Sequence, residues 1–81
     1  MESNLKLIER ITFNKEICNG KPTIRNMRFT VSHLLELLAS GMKENEILDD
    51  YDFLEKEDIR AALIYASMLA NPQSVTPIVA A

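Results

Sequence analysis

The chain has one cysteine, two glycines, three prolines and no tryptophan in 81 residues. A lone Cys18 closes no internal disulfide, and no C-x-x-C or Cys/His cluster offers a zinc site. The opening MESNLKLIER lacks the apolar stretch of a secretory signal. Charged residues interrupt the apolar runs well before the roughly 18 residues of a membrane span. These absences predict a cytoplasmic protein. A nucleophile elbow, a phosphate loop and paired catalytic carboxylates are also missing, so neither catalysis nor a cofactor is expected. The length allows one domain, which buries only about 60–65% of its unfolded surface.

What is present is unevenly placed. Apolar residues make up 47% of the chain, enough for a globular core, and the net charge is −3. Residues 1–30 carry six basic and three acidic groups, whereas residues 31–81 carry three basic and nine acidic ones. Such a division creates two electrostatic faces, each able to select a different partner.

The pattern changes at Thr30. Before it, KLIERITF predicts a short strand near Leu7 to Thr12. Asn14 to Pro22 reads as turn material, with Asn-Gly at 19–20. The triplets Thr23–Arg25 and Arg28–Thr30 flank Asn26-Met27, a hairpin signal, although Met27 is ill suited to positive φ. After Thr30, the spacing of Val31, Leu34, Leu35 and Leu38 is that of one helix face. Thr30 is placed to cap this helix and Gly41 to end it. Lys43 to Tyr51 predicts a second helix presenting Ile47, Leu48 and Tyr51. A third runs through EKEDIRAALIYASML, with Ile59, Ala62, Leu63, Ala66 and Leu69 as its buried stripe. Acids in its first turn suit the helix dipole. The expected fold class is therefore mainly α: a short strand and hairpin over 1–30, then a trihelical bundle over 31–70 with a helix-turn-helix-like join. The uncharged segment 71–81 is expected to be an extended or mobile tail.

From Ile11 to Ala66 the chain resembles family 433 of the domains of unknown function. Its members read roughly I-C-x-G-K-P-x-I-R-G-T-R-I-P-V, then L-L-A-x-G-x-S-x-E-E-I-L, a Tyr-Pro pair, and L-T-x-E-D-I-R-A-A-L. Ile17, Cys18, Gly20, Lys21, Pro22, Ile24, Arg25, Arg28 and Val31 match the first block. Leu37, Leu38, Ala39, Gly41, Glu46, Ile47, Leu48, Tyr51, Leu54 and the run from Glu57 to Leu63 match the later ones. The chain departs at Asn26-Met27 for Gly-Thr, Thr30 for Pro, Lys43 for Ser, Asp52 for Pro and Glu55 for Thr. The resemblance implies a homeodomain-like bundle and the role of an antitoxin in a bacterial toxin–antitoxin pair, whose toxin is a PIN-like nuclease.

Lys21, Arg25 and Arg28 form a basic cluster uninterrupted by acid. They are candidates for contact with nucleic-acid phosphates or with the toxin; the alternative is that they pair with the acidic half of the chain. Lys56 and Arg60 are the basic residues on the third helix, where a DNA-reading helix would act, but Glu55, Glu57 and Asp58 beside them would repel phosphate. Helix capping and ion pairing between neighbours is the other reading of Glu57, Asp58 and Arg60. His33 reads as a solvated residue at a helix start, and Cys18 as packing in a small core. Asp49, Asp50, Asp52 and Glu55 lack the spacing of a calcium loop and read as a solvated face.

The expected function is that of a small antitoxin-like interaction protein which neutralises a PIN-like toxin and, in the second place, binds operator DNA. A stand-alone DNA-binding regulator and a structural homodimer are the alternatives. A homodimer is expected in any case, because Leu37, Ile64 and Met68 fall outside the helical stripes.

Overall fold

A computed structural model describes residues 4–71. Its elements are α1 (Asn4–Ile8), β1 (Ile11–Phe13), a 3-10 turn over Cys18–Gly20, β2 (Pro22–Ile24), α2 (Val31–Ala39), α3 (Glu44–Asp50) and α4 (Lys56–Leu69). Helices dominate, so the mainly α expectation holds at that level, with a two-stranded antiparallel sheet beside them. The segment 72–81, expected to be a tail, lies outside the described residues.

The N-terminal strand expected from Leu7 to Thr12 is instead a helical turn followed by a shorter strand. Period two would have put Glu9 on the same face as Leu7 and Ile11. Leu7 and Ile11 are buried and Glu9 is exposed. A helix ending at Ile8, then a turn at Glu9–Arg10, brings in both apolar groups and leaves Glu9 in water. β1 then pairs with β2 in the register Ile11 to Ile24, Thr12 to Thr23 and Phe13 to Pro22. Thr12 and Thr23 face each other with hydroxyls 3.0 Å apart.

The chain reversal expected at Asn26-Met27 occurs one residue earlier. Arg25 and Asn26 take φ of 46° and 58°, and the Met27 amide donates to the Ile24 carbonyl at 2.8 Å. Two successive positive φ values mark the hairpin turn whose twist matches that of strands. Met27 thereby escapes the strain, and Asn26 takes a conformation that Asn tolerates well. The triplet Arg28–Thr30 pairs only loosely, through Ile24 N–H to the Phe29 carbonyl at 3.1 Å and a Thr23–Thr30 bridge.

The helix ends follow simple capping chemistry. Thr30 Oγ1 accepts from the His33 amide at 3.1 Å at the start of α2. At its end, Gly41 N–H reaches the Leu38 carbonyl and Met42 N–H the Leu37 carbonyl. That is a Schellman closure, with Gly41 at φ 100°. Lys43 and Glu55 stand where a hydroxyl cap would be, and each helix start keeps half of a capping box. Glu46 accepts from the Lys43 amide, and Asp58 from the Glu55 amide, both at 2.8 Å.

The core gathers Leu7, Ile11, Ile24, Phe29, Val31, Leu34, Ile47, Leu54, Ile59, Ala61 and Ala62. The buried face of α4 is rotated from the expected stripe. Asp58, Ile59, Ala61 and Ala62 are buried, while Leu63 and Leu69 are 46% and 59% exposed. α4 packs against α1 and β1 as well as α2 and α3, and the alanines let neighbouring elements approach closely. Leu37 and Ile64, expected outside the core, are half-buried against it, and only Met68 of that trio is exposed. Cys18, expected in the core, is half-buried in the 3-10 turn at φ 53°.

The space around Gly41 is open on its Cβ side. Gly41→Ala therefore carries a backbone penalty alone, about 1 kcal/mol, which lowers the melting midpoint by roughly 4–8 °C. Thermal unfolding followed by circular dichroism measures it; an unchanged midpoint would remove the left-handed closure from the account of α2.

Candidate interaction site

Asp58 is fully buried, yet its carboxylate is completely matched. Arg25 grips it with two bonds, Nε to Oδ1 at 3.0 Å and Nη2 to Oδ2 at 2.7 Å. Arg10 Nη1 reaches Oδ1 at 3.0 Å, and the Glu55 amide donates to Oδ2 at 2.8 Å. Arg10 also bridges to Glu55 at 2.7 Å, and Arg25 Nη2 donates to the Phe53 carbonyl at 2.8 Å. Burial pushes the Asp58 carboxyl upward, but the hydrogen bonds from Arg25, the Glu55 amide and Arg10 outweigh it and hold the group below its ordinary range. The hydrogen bond to Asp58 raises Arg25 in turn.

This cluster decides where the predicted site residues stand. Arg25 is tied into it, so its guanidinium is held by the acidic half of the same chain. Arg28 is exposed and makes no ion pair among the described residues. Lys21 is exposed, and most amides of the loop beside it are bonded within the loop. The amides of Ile17, Gly20 and Lys21 all donate to carbonyls within the loop, and that of Glu16 to Asn14 Oδ1. The structure therefore separates the three members of the basic cluster. Asp58 does cap a helix and form ion pairs, with partners 33 and 48 residues away rather than neighbours. Lys56 and Arg60 are exposed one turn apart on α4. Among the described residues no group of three His, Cys, Asp or Glu side chains converges on a metal position, and no helix is long and apolar enough to cross a membrane.

Two surface features emerge only in three dimensions. One is a groove of about 200 Å³ lined by Pro22, Val31, Leu35, Tyr65 and Leu69, with Lys21 at its rim. It draws on β2, α2 and α4 together, which no local pattern joins. Tyr65 also meets the exposed Phe13, ring centres 6.0 Å apart. The other is an aromatic cluster about Phe29, whose ring lies 4.8 Å from His33, 5.1 Å from Tyr51 and 5.5 Å from Phe53. His33 is exposed at the start of α2, and its ring rests on Phe29. The groove has the size to take one large apolar side chain, since an apolar cavity of about 150 Å³ admits a benzene ring.

Asp58→Asn tests the ion cluster. The substitution leaves two arginines beside a neutral amide, and breaking a buried pair costs roughly 3–5 kcal/mol at neutral pH. The sign with pH follows from the lowered carboxyl. The wild-type contribution is complete above about pH 4, the unfolded value, and is lost as pH falls through it toward the lower folded value. Urea unfolding at pH 7 and pH 3 should show a large gap between wild type and variant that narrows in acid. A gap of equal size at both values would contradict the charged cluster.

Comparison with known proteins points to one family. Residues 11–66 match the family described as a protein of unknown function, DUF433. The chain is also similar to the crystal structure of a DUF433 member from Anabaena variabilis, with 30% identity and a TM-score of 0.69. That match covers 85% of this chain and 67% of the other. No curated protein matches the sequence. The matched span contains β1, β2, α2, α3 and most of α4, with Arg25 and Asp58 among its residues, and the chain belongs to the DUF433 family.

Proposed function

We propose that this protein is an antitoxin-like interaction module that binds and silences a PIN-like nuclease through the groove between α2 and α4. The observation that carries the reading is the groove itself. Its walls are apolar, its rim holds Lys21, its lining Leu69 is exposed, and the exposed Phe13 adds apolar surface against Tyr65. A concave apolar patch with a single charged rim group suits a side-chain anchor of a protein partner better than a reacting centre. A nuclease of this kind depends on clustered carboxylates, and Lys21 supplies charge complementary to them. The nuclease would be found as the product of an adjacent reading frame. Ser32 lines the groove and is exposed, so Ser32→Arg fills the groove without entering the core. Co-expression with that nuclease should restore growth for wild type, and Ser32→Arg should lose the rescue while melting within a few degrees of wild type. Rescue by the variant equal to wild type would discard the groove; no rescue by wild type would discard the antitoxin reading.

One observation favours a second reading, operator binding by a helix-turn-helix-like surface. The charge of Asp58 is buried and matched, and Glu55 is paired with Arg10. Of the acids in the first turn of α4, only the half-buried Glu57 is left to oppose Lys56 and Arg60. The connection Tyr51–Glu55 is a residue or two longer than the usual turn of that motif. The double substitution Lys56→Ala, Arg60→Ala should lower the slope of log K against log salt by about two on the protein's own upstream DNA. An unchanged slope would remove α4 from any DNA contact.

A further inference from the structure

Leu69 is both the last residue of α4 and a wall of the groove, so the chain leaves its final helix at the groove itself. The Ala70 amide still reaches the Ala66 carbonyl at 3.0 Å, and the Asn71 amide the Met68 carbonyl at 3.3 Å. Pro72 then has no N–H to carry the helix on, and it disfavours helical geometry at Asn71. The ten residues from Pro72 onward, PQSVTPIVAA, lie outside the described residues. Their sequence holds no charged side chain, although charged residues make up 26% of the whole chain. It does hold three branched aliphatic residues, Val75, Ile78 and Val79. The groove that begins beside them is walled by Pro22, Val31, Leu35 and Tyr65, and its volume of about 200 Å³ admits one such side chain with room to spare.

We infer that segment 72–81 of the same chain seats Ile78 in this groove and closes it until a partner displaces it. Reach, chemistry and tethering together choose this occupant. The seven residues from Pro72 to Ile78 span up to about 25 Å when extended, ample to return from the end of α4 to Leu35 and Tyr65. The segment brings no charge whose burial between apolar walls would have to be offset. Pro77 fixes the backbone φ just before Ile78, which reduces the freedom lost on seating. A short tether also holds Ile78 near the groove at an effective concentration in the millimolar range, so a contact too weak to join two molecules persists within one. The inference rests on the groove being the partner site proposed above, and it adds the regulation of that site: the nuclease competes with the chain's own segment.

In the whole chain, nuclear Overhauser contacts should join the Ile78 methyls to the Tyr65 ring and the Leu35 methyls, equally strong from about 20 to 500 μM because the contact is intramolecular. Ile78→Lys should erase them by setting a charge between apolar walls beside Lys21. Ser32→Arg, which fills the groove from the other side, should erase them too. The signals of the buried Ile24 and Ile59 should stay in place in both variants, which shows that the fold is kept. With the segment seated about nine-tenths of the time, Ile78→Lys should bind the nuclease about tenfold more tightly than wild type. Absence of contacts between the segment and the groove would overturn the inference, as would contacts that grow with concentration, which belong to a second copy. Equal or weaker nuclease binding by Ile78→Lys would overturn the competition. Binding by neither form, with the contacts present, would discard the nuclease and leave the seating of the segment standing.

Discussion

A carboxylate with no access to water must be matched by donors in the protein or be protonated. Asp58 meets this condition with four donors drawn from three separate stretches of chain: Arg10 after α1, Arg25 in the turn after β2, and the Glu55 amide at the start of α4. The cluster thus fixes the N-terminal segment, the hairpin turn and α4 relative to one another. A core of eleven buried apolar residues, two of them alanine, leaves much of the orientation to be set by polar geometry. The bidentate fork of Arg25 suits that task because it defines direction as well as distance. It also explains an uncommon backbone. Arg25 lies at φ 46°, which costs a residue with a Cβ on the order of 1 kcal/mol or more. The turn at Ile24–Met27 aims Arg25 at α4, and the ion pair holds it there.

The periodic part of the fold was legible in the sequence. The 3.6-residue spacing after Thr30, the Thr30 cap, the Gly41 closure and the three helices of the C-terminal part all follow from local chemistry that packing does not contradict. The N-terminal part was not, for a definite reason. Leu7, Ile8 and Ile11 have β-branched or aliphatic character that suits strand and helix alike over so short a run, and only the need to bury Leu7 while exposing Glu9 decides between them. The stripe on α4 was misplaced for a related reason. Hydrophobic periodicity counts Asp58 as a solvent residue, yet the arginines draw it inward and turn Leu63 toward the surface, while Leu69 is exposed as the last residue of the helix. A signal for this existed in the charge division of the chain. A basic first third facing an acidic remainder is what an intramolecular pairing between distant segments looks like in one dimension, although it does not name the partners. The groove had no such signal, because Lys21, Leu35 and Tyr65 come from three elements.

The pairing changes how the charge of the protein is read. A net charge of −3 and acids clustered at the start of α4 suggest a surface hostile to phosphate. Two of those acids are spent on Arg10 and Arg25, and Arg25 is thereby removed from the basic cluster. Of the basic residues that could meet a partner in the hairpin segment and on α4, those facing solvent are Lys21 beside an apolar groove, Arg28 on the hairpin, and Lys56 and Arg60 one turn apart. They are spread over three parts of the fold. Recognition by this protein consequently depends on how those elements are mutually placed, more than on any concentrated patch of one sign.

That dependence gives Asp58 a different standing from the surface residues. The groove uses β2, α2 and α4, and the exposed basic pair belongs to the first turns of α4. β1, β2 and α4 are joined through Arg10, Arg25 and Asp58, so loss of the carboxylate should disturb both surfaces together, by loosening the frame on which they are presented. A change at Ser32 or Lys56 touches one surface and leaves the frame intact. The distinction separates structural from recognition roles in a protein whose charged residues otherwise look alike in sequence. It also implies that Arg25, although it stands in the most basic stretch of the chain, influences any partner mainly by holding the hairpin turn against α4, with Lys21 and Arg28 left as the groups of that stretch free to make contact.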